Sequence, residues 1–121
     1  MDKERVLIVT DSPDRKAFLE FHLKKLDLYP IWYPNILAAR MATKCDPFVL
    51  VLVDLGIPVE PKISFIKDCL ELQPHTPVVS IGKIHYLEKE RPLPQLPHMI
   101  SLSAIELVPG FLRQWFAKKI C

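Results

Sequence analysis

Two continuous hydrophobic runs, Arg5–Thr10 (RVLIVT) and Phe48–Val53 (FVLVLV), constrain the fold of this chain more than any other feature. In each, both alternating faces are apolar, the pattern of a strand covered on two sides rather than one that turns a face to water. Such strands belong to parallel sheets flanked by helices. Each run leads into an aspartate, Asp11 after the first and Asp54 after the second. Open α/β sheets bind and react at the carboxyl ends of their central strands. Two aspartates at the ends of neighbouring strands would therefore share one pocket.

The rest of the chain alternates in the same way. Ser12 is placed to cap a helix, with Pro13 at the first helical position and Asp14 in the first turn. Phe18, Phe21, Leu23 and Leu26 then predict an amphipathic helix from Pro13 to about Leu26. Pro30–Tyr33 reads as a short second strand, and Asn35 caps a helix over Ile36 to Lys44. After the third strand, Pro58 and Pro61 bracket a loop. A helix from about Lys62 to Leu72 buries Ile63, Phe65, Ile66, Cys69 and Leu70, and Pro77–Ile81 is the fourth strand. Pro92, Pro94 and Pro97 forbid a regular helix before the fifth strand at Met99–Leu102. Ser103 and Glu106 have capping-box spacing, but Pro109 and Gly110 follow so soon that the last helix is placed from near Pro109. Its apolar face is Phe111, Leu112, Trp115, Phe116 and Ile120.

Short strands separated by helices imply βαβ crossovers. The predicted fold is α/β: a three-layer, doubly wound, five-stranded parallel sheet of the flavodoxin-like order 2-1-3-4-5, with an irregular fourth helix. Residues 1–121 form a single domain. In that order the first and third strands are neighbours, which brings Thr10, Asp11 and Asp54 to one switch point.

Composition excludes several classes of function. The net charge is +2 with interspersed signs, which gives no strong pull toward nucleic acid or a membrane surface. The basic pairs Arg15-Lys16, Lys24-Lys25 and Lys118-Lys119 fall on predicted helices and read as solvated faces. There is no signal peptide and no apolar run of membrane-spanning length, so the cytoplasm is the expected compartment. Cys45, Cys69 and Cys121 show neither paired nor zinc-binding spacing; Cys45 and Cys69 read as small packed hydrophobes. His22, His75, His85 and His98 lack metal-ligand spacing and read as surface or loop residues, and Trp32 and Trp115 as partly buried packing residues.

Three stretches, VLIVTDSPD (Val6–Asp14), VLVLVDLGIP (Val49–Pro58) and PVVSIG (Pro77–Gly82), resemble the response-regulator receiver (CheY-like) domains of two-component signalling. The resemblance runs over essentially the whole chain, and Asp-Leu-Gly-x-Pro after the third strand is its most specific part. It implies that Asp54 is the position of the phosphoacceptor, which takes a phosphoryl group from a histidine kinase or a small acyl phosphate. It also implies a magnesium site built from two acidic residues after strand one, the acceptor, and a backbone carbonyl two residues on. Those positions are Thr10, Asp11, Asp54 and Gly56.

The sequence departs from that pattern at four places. Thr10 stands where one of the acids is expected. Gly82 stands where a hydroxyl would grip the phosphoryl group, and Lys83 replaces the small residue beside it. Ser101 or Leu102 stands where a lysine is expected. Asp11, Asp54 and Gly56 would therefore bind Mg2+ weakly at best, with no cofactor required.

The expectation is an atypical receiver, or pseudo-receiver, that is not an enzyme and is phosphorylated weakly or not at all. It would work as a regulatory protein-interaction or dimerisation module. Its partner would be another protein or a fused output domain beyond residue 121, resembling the DNA-binding transcription activators that respond to bacterial enhancers. Trp115 and Phe116 are candidates for a homodimer face. No direct nucleic-acid or membrane contact by this domain is expected. Two other readings stand beside it: a working receiver phosphorylated on Asp54 with Mg2+, and an unrelated flavodoxin-like ligand-binding or enzyme domain. Against the latter, the only glycines are Gly56, Gly82 and Gly110, so there is no Gly-rich phosphate loop.

Overall fold

The computed structural model describes residues 4–54, 59–82 and 99–120. The elements run β1 (Arg5–Val9), α1 (Pro13–Lys25), β2 (Tyr29–Tyr33), α2 (Ile36–Cys45), β3 (Leu50–Asp54), α3 (Val59–Leu72), β4 (Val78–Ile81), β5 (Met99–Leu102) and, after a 3-10 turn at Ile105–Leu107, α4 (Val108–Ile120). The five strands form one parallel sheet in the order β2-β1-β3-β4-β5, as the sequence predicts. The segment 83–98, where an irregular fourth helix is expected, lies outside the described residues, as do Gly56 and Lys83.

The side chains of the central strands alternate between two cores. Val6, Ile8, Leu50, Leu52, Val79 and Ile81 face α1 and α4, whereas Leu7, Val9, Val51, Val53 and Val78 face α2 and α3. Both faces being apolar is why β1 and β3 read as unbroken hydrophobic runs. Ser12 accepts a hydrogen bond from the Arg15 amide at 3.3 Å and Asn35 one from the Ala38 amide at 2.9 Å, so both predicted caps form. Cys69 is buried among Phe65 and Ile66; burial, with Asp68 beside it, pushes its thiol up to about 12. A thiol so seldom ionised packs as a hydrophobe.

Three sequence expectations shift. α3 begins at Val59, so Pro61 lies inside its first turn, where a missing N–H leaves no intrahelical bond unmade. The buried stripe of α1 is Leu19 and Leu23, while Phe21 is 57% exposed. Phe21 lies two residues from each, about 200° around the helix, which puts it on the opposite face. His22 is half-buried rather than a surface residue: its ring packs edge-on against Phe18 at 4.7 Å, and burial, with Lys25 and Arg113 nearby, lowers its pKa.

At the end of the sheet opposite Asp54, the Gln73 side chain ties two turns together. Its amide nitrogen donates to the carbonyls of Thr43 (3.0 Å) and Asp46 (2.9 Å), and its oxygen accepts from the Phe48 amide (3.0 Å). Thr76 Oγ1 donates to the Phe48 carbonyl at 2.7 Å. These bonds set where β3 enters the sheet. Gln73→Ala removes three partners from half-buried backbone groups and is expected to lower the unfolding free energy by about 2 kcal/mol. Urea denaturation measures this; a loss under about 0.5 kcal/mol would mean that water replaces the amide in full.

Candidate functional site

The pairing Val9↔Val53 places Thr10 beside Asp54 at the carboxyl ends of β1 and β3. Both are buried, Thr10 at 0% and Asp54 at 1% exposure. A carboxylate this far from water must be compensated by donors or a cation. Thr10 Oγ1 donates to Asp54 Oδ2 at 2.6 Å, and Arg15 Nε donates to the same oxygen at 2.7 Å. The Ser12 amide in turn donates to Thr10 Oγ1 at 3.2 Å.

Arg15 reaches the carboxylate because of its place on α1. It lies four residues before Leu19 and eight before Leu23, on the stripe that faces the sheet. Its position in the first turn sets it over the carboxyl ends of the strands. Lys16, one residue on, points elsewhere: its ammonium lies 4.8 Å from the centre of the Trp32 ring. Trp32 Nε1 donates to the Thr10 carbonyl at 2.8 Å, so Thr10 is held through its backbone and its hydroxyl at once.

The predicted site residues part company here. Thr10 and Asp54 come together; Asp11 is exposed. Gly82 has φ 115°, a left-handed backbone that excludes most side chains, and its amide donates to the Leu102 carbonyl at 2.7 Å. Ser101 is exposed on β5, and Leu102 packs against the core. At the proposed dimer face, Trp115 is partly buried and stacks on Phe111 at 5.8 Å, but Phe116 is 7% exposed and belongs to the core under α4. Phe116 is therefore corrected from a surface residue to a packing residue: Leu112 and Phe116 are four apart and share the inward face.

Arg15 is the functional residue that the sequence reading missed. The sequence pattern groups it with Lys16 as a solvated pair, although a helix turns consecutive residues about 100° apart. The available signal was its spacing from Leu19 and Leu23, which marks a cation on an apolar stripe one turn from a strand-end aspartate.

No protein-family model matches the chain. Among solved structures, the chemotaxis response regulator CheY4 of Vibrio cholerae superimposes with a TM-score of 0.75 over 93% of this chain and 98% of its own, at 17% identity. The response regulator TrrA of Thermotoga maritima, in complex with Mg2+ and beryllofluoride, gives 0.74 over 95% and 97%, at 15% identity. The chain has the CheY-like receiver fold. A receiver domain from a sensor histidine kinase of Pseudomonas aeruginosa, with magnesium coordinated in its active-site cleft, matches at 0.72 over 96% and 99%, at 16% identity. By sequence, the response regulator protein PilR of Pseudomonas aeruginosa is 31% identical over 81 residues, which is 67% of this chain and 18% of PilR.

The described residues of this pocket form a poor site for a divalent cation. Magnesium requires an octahedron of oxygen ligands at about 2.1 Å. Here Asp54 Oδ2 already accepts from a hydroxyl and a guanidinium, and the acid at position 10 is a threonine. Among the described residues, no group of three His, Cys, Asp or Glu side chains comes together to hold a metal. Among the described residues, too, no helix is long and apolar enough to cross a membrane.

Proposed function

We propose that this chain is a pseudo-receiver: a regulatory, non-catalytic domain of two-component-type signalling that keeps Asp54 in a permanent ion pair instead of accepting a phosphoryl group. The observation that carries this reading is the convergence of Thr10 and Arg15 on Asp54 Oδ2. A carboxylate that attacks phosphorus must offer a lone pair, and the charge that builds on the phosphoryl oxygens needs cations and hydroxyls of its own. In this pocket the Arg15 guanidinium is bound to the carboxylate that would be the nucleophile. The position expected to supply the gripping hydroxyl is Gly82, and Ser101 or Leu102 stands where a lysine is expected.

The domain then works through what it touches. Its partner is another protein or a fused output domain. The match to PilR and the resemblance to the receivers of enhancer-responsive activators support a transcription activator as that output.

The test is amide NMR on the 121-residue chain with Mg2+ and either beryllofluoride or acetyl phosphate. Spectra should stay unchanged at Thr10, Asp54 and Gly82. Shifts at those residues that vanish in Asp54→Ala would establish a working phosphoacceptor and overturn the proposal.

A further inference from the structure

We infer that Arg15 is a resident counter-ion: it takes the place that a divalent cation holds in metal-binding receivers, and the pocket excludes Mg2+ because of it. This rests on the pseudo-receiver reading and assigns its cause to one side chain.

Distance is the first argument. Arg15 Nε sits 2.7 Å from Asp54 Oδ2, the oxygen edge that also takes the Thr10 hydroxyl. A magnesium ion bound to that edge at about 2.1 Å would lie within a few ångströms of a guanidinium that is always protonated. Two cations that close repel strongly in a pocket where water screens poorly.

The second argument is charge. A divalent ion between carboxylates serves to neutralise them. Here the Arg15 guanidinium already neutralises the buried Asp54 carboxylate, Thr10 adds no charge, and Asp11 is exposed to solvent. The pair leaves little negative charge in the pocket to attract a second cation.

Tethering is the third. Arg15 is carried by α1, whose Leu19 and Leu23 are anchored in the core and whose first turn is fixed by the Ser12 cap. A cation held by the fold does not have to be gathered from solution, and a free ion at cellular concentration competes with it poorly. The pocket should thus hold one arrangement whatever the divalent-ion level.

The experiment titrates Mn2+ into the wild-type chain and into Arg15→Met, which removes the charge but keeps most of the apolar stem. Paramagnetic broadening of the Thr10, Asp11 and Asp54 amides reports binding at the pocket, and Arg15→Met/Asp54→Asn controls for ions bound elsewhere. Arg15→Met should bind Mn2+ at least about tenfold more tightly than wild type, and the second substitution should abolish the gain. Equal affinity in wild type and Arg15→Met overturns the inference, whether both bind or neither does. If neither binds, the threonine at position 10 alone explains the loss. Circular dichroism on each variant confirms folding, and Arg15→Gln replaces Arg15→Met if the latter is unfolded. The pseudo-receiver proposal fails through a different signal, phosphoryl-mimic shifts in wild type, so the two can fall separately.

Discussion

Arg15→Ala is expected to lower the unfolding free energy by about 2–3 kcal/mol, a large effect for a partly exposed arginine. Asp54 is 1% exposed and the Arg15 side chain 36%. Removing the cation takes a charge-assisted partner from a buried carboxylate that keeps the Thr10 hydroxyl; breaking a fully buried pair on one side costs about 3–5 kcal/mol, and the exposure of Arg15 reduces that. The reverse deletion should cost less. In Asp54→Ala the guanidinium can swing into solvent while the Thr10 hydroxyl loses its acceptor, so a loss of about 1–2 kcal/mol is expected. Urea denaturation of both single variants and of Arg15→Ala/Asp54→Ala measures the coupling directly. If the double variant loses the full sum of the single effects, the two side chains do not interact energetically, and the ion pair has no part in the fold.

Phe116→Ala should cost more still, about 3–4 kcal/mol, without altering the state of association. Phe116 is 7% exposed and packs in the core that Leu112, Leu19 and Leu23 share between α1 and α4. Truncating a phenylalanine there removes its burial and leaves a cavity that the sheet cannot close. The urea midpoint should fall with little change in slope, while sedimentation stays as in wild type. A change in sedimentation with stability preserved would return Phe116 to the surface role suggested by its sequence pattern.

Legibility in the sequence followed the range of the interactions. β1, β3 and β5 were readable because hydrophobic runs declare strands locally, and β5 has the predicted bounds, Met99–Leu102. Ser12 and Asn35 were readable as caps because a cap acts three residues away. Strand order followed from the alternation of elements, and with it the meeting of Thr10 and Asp54. The spacing of Arg15 from Leu19 and Leu23 marks it as a candidate cation, but that it reaches Asp54 is not written locally. Arg15 and Asp54 are 39 residues apart, and only the crossing of α1 over the sheet decides that Arg15 turns inward while Lys16 lies over Trp32. Gln73 was hidden for the same reason: its three partners lie at the one turn between α2 and β3, which meets the end of α3 only in the folded chain. Pro61 reads in the sequence as a loop residue because proline breaks helix interiors, whereas in a first helical turn it is tolerated.

The φ of 115° at Gly82 bears on how this protein could change over generations. Regaining a gripping hydroxyl would require serine or threonine at that position. Either residue carries a Cβ and is strained with that backbone by on the order of 1–3 kcal/mol, and the turn is also tied to β5 through the Leu102 carbonyl. A change of residue alone would not suffice, because the main chain would have to be rerouted as well. Substitutions at positions 10 and 15 change side-chain contacts without requiring a new main-chain path. The loss at Gly82 therefore works as a ratchet: a descendant could exchange its resident cation for a metal and still lack the hydroxyl needed to answer a phosphoryl group.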